Sequence, residues 1–185
     1  MGRRLERLKL RNAVKGQREA CEEIICKHYK SIYRFIVFLS GDAHLSEDLT
    51  QETFISAWAN IDQFEGRATL KSWLHRIAYN KFLDSERSSQ KRSDFTAGLN
   101  EGNSNEQQSF DPLHRISQDE HSRILFEAMN KLEPAEYVVI VLHYIQDFSY
   151  REMAEILKEP VGTIKWRTNK TLKKLREILT GRIKL

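Results

Sequence analysis

FSYREMAEILKEPVGTIKWRTNKTLKKLREIL, residues 148–179, reads as two helices joined by a tight turn. Ser149 and Glu152 have the spacing of a capping box, in which hydroxyl and carboxylate satisfy each other's exposed backbone amides. A short helix follows with Met153, Ala154, Ile156 and Leu157 inward, Lys158-Glu-Pro160 makes the turn, and a longer helix runs from about Val161 to Leu179. At 100° per residue, Ile164, Thr168, Thr171, Leu172, Leu175 and Leu179 gather on one side of it. Thr163, Trp166, Arg167, Lys170, Lys173 and Lys174 gather on the other, with Lys165 at the edge. A major groove admits a helix with such a face, its first residues near base edges and its lysines nearer phosphates. The competing reading is a generic helical hairpin. Trp166 has two readings: it packs back on the preceding helix, or it touches a thymine methyl or sugar edge.

A second basic amphipathic stretch, FEGRATLKSWLHRIAYNKFLDSER, occupies residues 64–87. Its apolar stripe is Leu70, Trp73, Leu74 and Ile77, which makes Trp73 a core residue rather than a stacking platform. Arg76, Asn80 and Arg87 lie within a narrow arc of another face, with Asp84 at its border. Arg and Asn make bidentate contacts to base edges, and Arg also binds phosphate. Tyr79, Phe82 and Leu83 fall off the stripe, so they either pack on a third helix or stack on unpaired bases. Phe64, beside Gly66 and Arg67, carries the same two readings. Two such segments on one chain suit the reading of two separated stretches of nucleic acid.

Charge agrees with this division. The chain of 185 residues has a formal charge of +4, yet from Lys158 onward nine Lys or Arg face two Glu, leaving the first 157 residues at a net −3. From Arg67 to Arg92, seven basic residues face two acidic ones. Such concentration is the footprint of phosphate binding, or else a solvated helix face.

Elsewhere the pattern is helical. Residues from about Gln17 to Ser40 space Ile24, Ile25, Tyr29, Ile32, Tyr33, Ile36 and Val37 as a core helix does, and Gly41 to His44 break it. Ser46 is expected to cap the next helix, with Glu47 and Asp48 in its first turn. That helix has an apolar stripe of Phe54, Trp58 and Ile61 beside an acidic one of Asp48, Gln51, Glu52 and Ile55. Asp62 to Thr69 reads as a loop. Residues 93–112 are rich in Asn, Gln, Ser and Gly and poor in aliphatics, as in a flexible linker. Helical spacing returns with Ile116, Ile124, Leu125, Met129 and Leu132, and Pro134 opens a helix whose buried side is Val138, Val139, Val141, Leu142 and Ile145. The fold class is all-α: two small helical domains on a tether, residues 1–92 and 113–185, joined by 93–112.

Several function classes fall away. Cys21 and Cys26 have neither zinc spacing nor a shared helical face. Glu47, Asp48, Glu52 and His44 would be the ligands of a metal-dependent helical enzyme, but a second Glu-x-x-His helix is missing. No catalytic residue, metal or cofactor is therefore expected. No apolar run approaches the ~20 residues of a membrane span, and MGRRLERLKLRN lacks the apolar core of a signal peptide, so a cytoplasmic location is expected.

At these residues the sequence closely resembles bacterial sigma factors of the extracytoplasmic-function (ECF) group. SEDLTQETFISAW is similar to their polymerase-binding helix and FEGRATLKSWLHRIAYNKFLD to their minus-ten-reading segment. The stretch from Leu132 to Leu175 resembles their minus-thirty-five-reading domain. The resemblance implies a region 2 helical bundle and a region 4 helix-turn-helix. Asp48, Gln51, Glu52 and Ile55 would meet the clamp helices of the polymerase largest subunit. The loop from Phe64 to Thr69, Arg67 included, would hold a base flipped from the minus-ten element, with Arg76, Asn80, Asp84 and Arg87 on the helix beside it. Thr163, Lys165, Trp166, Arg167, Lys170 and Lys173 would face the minus-thirty-five element. Departures stand at Lys158 and Glu159, where the family has glycine and an aliphatic residue, and at Trp166 and Thr168. Implied partners are core RNA polymerase, promoter DNA and an anti-sigma factor, with no membrane insertion and no enzymatic activity. The other reading is a helix-turn-helix regulator whose N-terminal half senses a ligand or dimerises.

Overall fold

The computed structural model describes residues 18–97 and 120–180, and their regular structure is entirely helical. Helix α1 (Arg18–Ser40) buries Ile24, Ile32, Phe35 and Ile36 and stops at Gly41, whose φ of 67° is one that a side chain resists. The Gly41 amide closes the last turn on the Val37 carbonyl at 2.9 Å.

Helix α2 (Ala43–Ala59) begins earlier than the sequence suggests. Its cap is Asp42, whose carboxylate accepts the amides of His44 and Leu45 at 2.8 and 3.0 Å. Ser46, the expected cap, is buried inside the helix, 2.9 Å from the Ser40 hydroxyl, and Asp48 lies beyond the first turn. Asp42 wins because a carboxylate accepts two amides at once while its residue stays extended. Thr50 and Thr53 are also buried, their hydroxyls donating to the Ser46 and Leu49 carbonyls at 2.6 and 2.7 Å. This face of α2 thus packs without an unsatisfied oxygen.

A 3₁₀ turn (Ile61–Gln63) and a bend lead to helix α3 (Leu70–Ala97), started by the Thr69 hydroxyl accepting the Ser72 amide at 3.1 Å. It runs past the expected end at Arg87 and into the expected linker; residues 98–112 of that linker lie outside the described residues. Helices α1, α2 and α3 pack pairwise on one another.

The C-terminal half opens with α4 (Glu120–Met129) and α5 (Pro134–Ile140), the latter with proline in its first turn as expected. The Val-rich segment is helix, but its end is a π turn (Val141–Ile145) in which the Gln146 amide reaches the Val141 carbonyl at 3.0 Å. Helix α6 (Tyr150–Leu157) has the capping box of Ser149 and Glu152, and α7 (Val161–Thr180) buries Ile164, Thr168, Thr171 and Leu175. Lys158 takes the left-handed conformation between them, at φ 56° and ψ 41°.

The two halves, although expected to be separate bodies, share one continuous core. Helix α3 packs on α6, and the π turn lies against α1. Phe148 is 1% exposed at this joint, and fully burying such a ring is worth roughly 1.5–3 kcal/mol. Polar spacing along each segment identified its apolar face but not what would cover it.

Candidate nucleic-acid interface

The bend before α3 and the end of α2 enclose an open cleft of about 430 Å³, lined by Phe64, Arg67, Trp73, Arg76 and Asn80 together with Ser56, Asn60, Gln63, Glu65, Ala68 and Ile77. Gly66, at φ 73°, permits the bend. Phe64 is buried, its ring 5.3 Å from that of Trp73 and tilted 55°. It supports the cleft wall and is not a free stacking platform, while Trp73 is half-buried between core and cleft. Arg67 is exposed at the rim, 2.5 Å from Glu65. Four of the six residues expected here meet at one place. Asp84 and Arg87 lie further along α3, exposed and paired with each other at 3.1 Å, outside the cleft lining.

Sequence reading missed Asn60 and Gln63, whose side chains bond each other at 3.1 Å on the cleft edge. Amides just past a helix end were the available signal. It also missed Glu155 and Lys158, which reach the same cleft from the C-terminal half. Nothing local to them points there.

On α2, Asp48, Gln51, Glu52 and Ile55 share an exposed face, Ile55 being 66% accessible. Glu52 is tethered to Lys81 of α3 at 3.2 Å, across solvent-exposed surface where such a pair adds little stability.

Helix α7 presents Thr163, Lys165, Trp166, Lys170 and Lys173 to solvent. Trp166 is 62% exposed, with the Lys170 ammonium 5.1 Å from its ring centroid, so the reading in which it packs on the preceding helix is wrong. Arg167 behaves otherwise. Its guanidinium grips Glu159 with two bonds of 2.9 and 2.6 Å, and Glu159 raises its pKa. Burial, followed by the negative charge of Glu159, raises the Tyr79 hydroxyl of α3 too, so this pair faces the N-terminal half. The base of the helix-turn-helix is held by Lys174, which donates to Glu136 at 2.6 Å and lowers that carboxyl's pKa.

The family described as Sigma-70 region 2 matches residues 24–92, and that described as Sigma-70, region 4 matches residues 122–175. The ECF RNA polymerase sigma factor SigW of Bacillus subtilis is 32% identical over 92% of this chain and 95% of its own length. The chain belongs to the ECF RNA polymerase sigma factors. Promoter selection for RNA polymerase is the function this membership assigns. SigM of Bacillus subtilis is 29% identical over 74% of this sigma factor and 80% of its own length. Among solved structures, the sigma factor RpoE in complex with the anti-sigma factor NepR from Bartonella quintana superposes with a TM-score of 0.67 at 26% identity, covering 86% of this chain and 96% of that one. CnrH in complex with the cytosolic domain of CnrY superposes at 0.70 with 22% identity, covering 95% and 97%, which speaks to the fold alone. Among the described residues no helix is long and apolar enough to cross a membrane, and no group of His, Cys, Asp or Glu is placed to hold a metal ion.

Proposed function

We propose that this sigma factor docks on core RNA polymerase through the exposed face of Asp48, Gln51, Glu52 and Ile55, and reads promoters with the cleft and with α7. The observation that carries the reading is the cleft itself. Its aromatic wall of Phe64 and Trp73, flanked by Arg67, Arg76 and Asn80, suits a single unstacked base with its phosphates. Capturing such a base offsets part of the cost of unpairing DNA. Asp84 and Arg87 extend the contact along α3. Thr163, Lys165, Trp166, Lys170 and Lys173 contact the minus-thirty-five duplex, and Arg167 joins them once released from Glu159. The two sites, on one chain, combine two weak contacts into useful affinity.

The chain then does no bond chemistry, works in the cytoplasm beside its polymerase, and needs no cofactor. The related sigma factor RpoE of Bartonella quintana is solved in complex with the anti-sigma factor NepR, and an anti-sigma partner is proposed here too. The decisive experiment is in vitro transcription with core polymerase over a promoter library, repeated with Asp48→Arg. Promoter-specific transcripts should require this chain and fall with the charge reversal, whose site is exposed and outside the core. Transcripts independent of the chain refute the assignment.

A further inference from the structure

Trp166 stands at the crest of α7. At about 100° per residue, the buried residues Ile164, Thr168, Thr171 and Leu175 centre on one direction, and Trp166 and Lys173 lie within about 10° of the opposite one. Of these two only Trp166 falls in the first two turns, the part of a recognition helix that meets base edges. Its indole is 62% exposed, and the Lys170 ammonium, one turn on, lies 5.1 Å from the ring centroid and steadies it before anything binds. One turn earlier stands Gly162, where an added Cβ would meet nothing within 4 Å. Helix side chains lean toward the N-terminus, so this open place adjoins the indole on the side to which it leans.

A single exposed aromatic is common on protein surfaces and by itself marks no site. The surroundings of this one narrow what it meets. Lys165, Lys170 and Lys173 are exposed about it, while the one acid within α7, Glu177, is about three turns further on. A protein surface covering the indole would strip water from those ammoniums, whereas a polyanion pairs with them. An apolar group framed by phosphates is found in the major groove, where thymine presents a methyl. Guanine is the other base such a helix reads, through a bidentate guanidinium, but Arg167 is gripped by Glu159 at 2.9 and 2.6 Å. The indole therefore leads.

Resting on the promoter-reading proposal above, we propose that Trp166 is a specificity-determining residue of this chain. Its ring packs on the C5-methyl of one thymine in the minus-thirty-five duplex, and Gly162 leaves the room in which that methyl is received. The flanking lysines hold the phosphates on either side and carry no sequence information themselves.

The test removes single methyl groups from the DNA. Holoenzyme made from core polymerase and the full chain is assayed by competition binding and transcription on a promoter recovered from the library described above. Each thymine of the minus-thirty-five element, on both strands, is replaced in turn by uracil, which lacks the methyl and keeps the pairing edge. With wild-type chain, uracil at one position should weaken binding about fourfold, the worth of one buried methyl. With Trp166→Ala, whose site lies outside the core, thymine and uracil at that position should bind equally. A loss at uracil that persists in Trp166→Ala puts the methyl contact on another residue and overturns the proposal. Wild-type binding indifferent to every uracil also overturns it, as when the indole meets a sugar or donates its N–H to a purine. So does a minus-thirty-five element with no thymine on either strand. These three results leave the promoter-reading assignment standing; transcription that does not require the chain refutes that assignment instead.

Discussion

Replacing His75 by Gln should flatten the pH dependence of stability between pH 7.5 and 5. Burial pushes the His75 imidazole down to about 4 from its ordinary 6.5, aided by the Lys71 charge and opposed by the Lys71 carbonyl, 2.8 Å from Nδ1. The imidazole stays neutral in the folded chain down to about pH 4, whereas the unfolded chain binds a proton near pH 6.5. The unfolded state thus holds more protons throughout that window, and stability falls as pH falls. From pH 7.5 to 5 the loss for this one group is about 2 kcal/mol, and it approaches roughly 3 kcal/mol only below pH 4. Urea unfolding at both pH values, for wild type and His75→Gln, isolates it. Packing lost on substitution is common to both pH values and cancels in the double difference, as do the carboxylates. Equal losses in the two proteins would show that His75 meets water in the folded chain, and its burial beside Phe148 at the joint would be wrong.

Three further outcomes follow from local geometry. Trp166→Ala should weaken binding of minus-thirty-five duplex to the polymerase complex several-fold while moving stability by no more than about 0.5 kcal/mol, since the ring is mostly in solvent; a melting temperature well below wild type would contradict that. Lys158→Gly should stabilise the chain by about 1 kcal/mol, because only glycine adopts the left-handed turn without steric cost; urea midpoints report the sign. Ser149→Ala removes an amide acceptor and should cost about 1 kcal/mol by the same measurement.

Local chemistry explains what was readable in advance. The capping box at Ser149, the proline at the head of α5, the apolar face of α7 and the break at Gly41 each follow from a few neighbouring residues, and each stands as read. The α2 cap did not, because Asp42 and Ser46 are both competent and the choice depended on how Ser46 was buried against Ser40. Phe64 had two even readings, and its contact with Trp73 settled for the wall. Trp166 went the other way, to solvent, because the apolar side of α7 was already filled by Ile164, Thr168 and Thr171.

The sequence by itself determined the helices, the capping box at Ser149, the charged faces and the family, since all of these reside in spacing over a dozen or so residues. Tertiary structure alone decided that the halves share a core, that a π turn aims Gln146 at Ser31 across 115 positions of chain, and that Arg167 is occupied by Glu159. Periodicity declares which face avoids water. Which surface comes to cover it is settled by shape and by polar pairing between distant segments, and neither leaves a trace in local spacing.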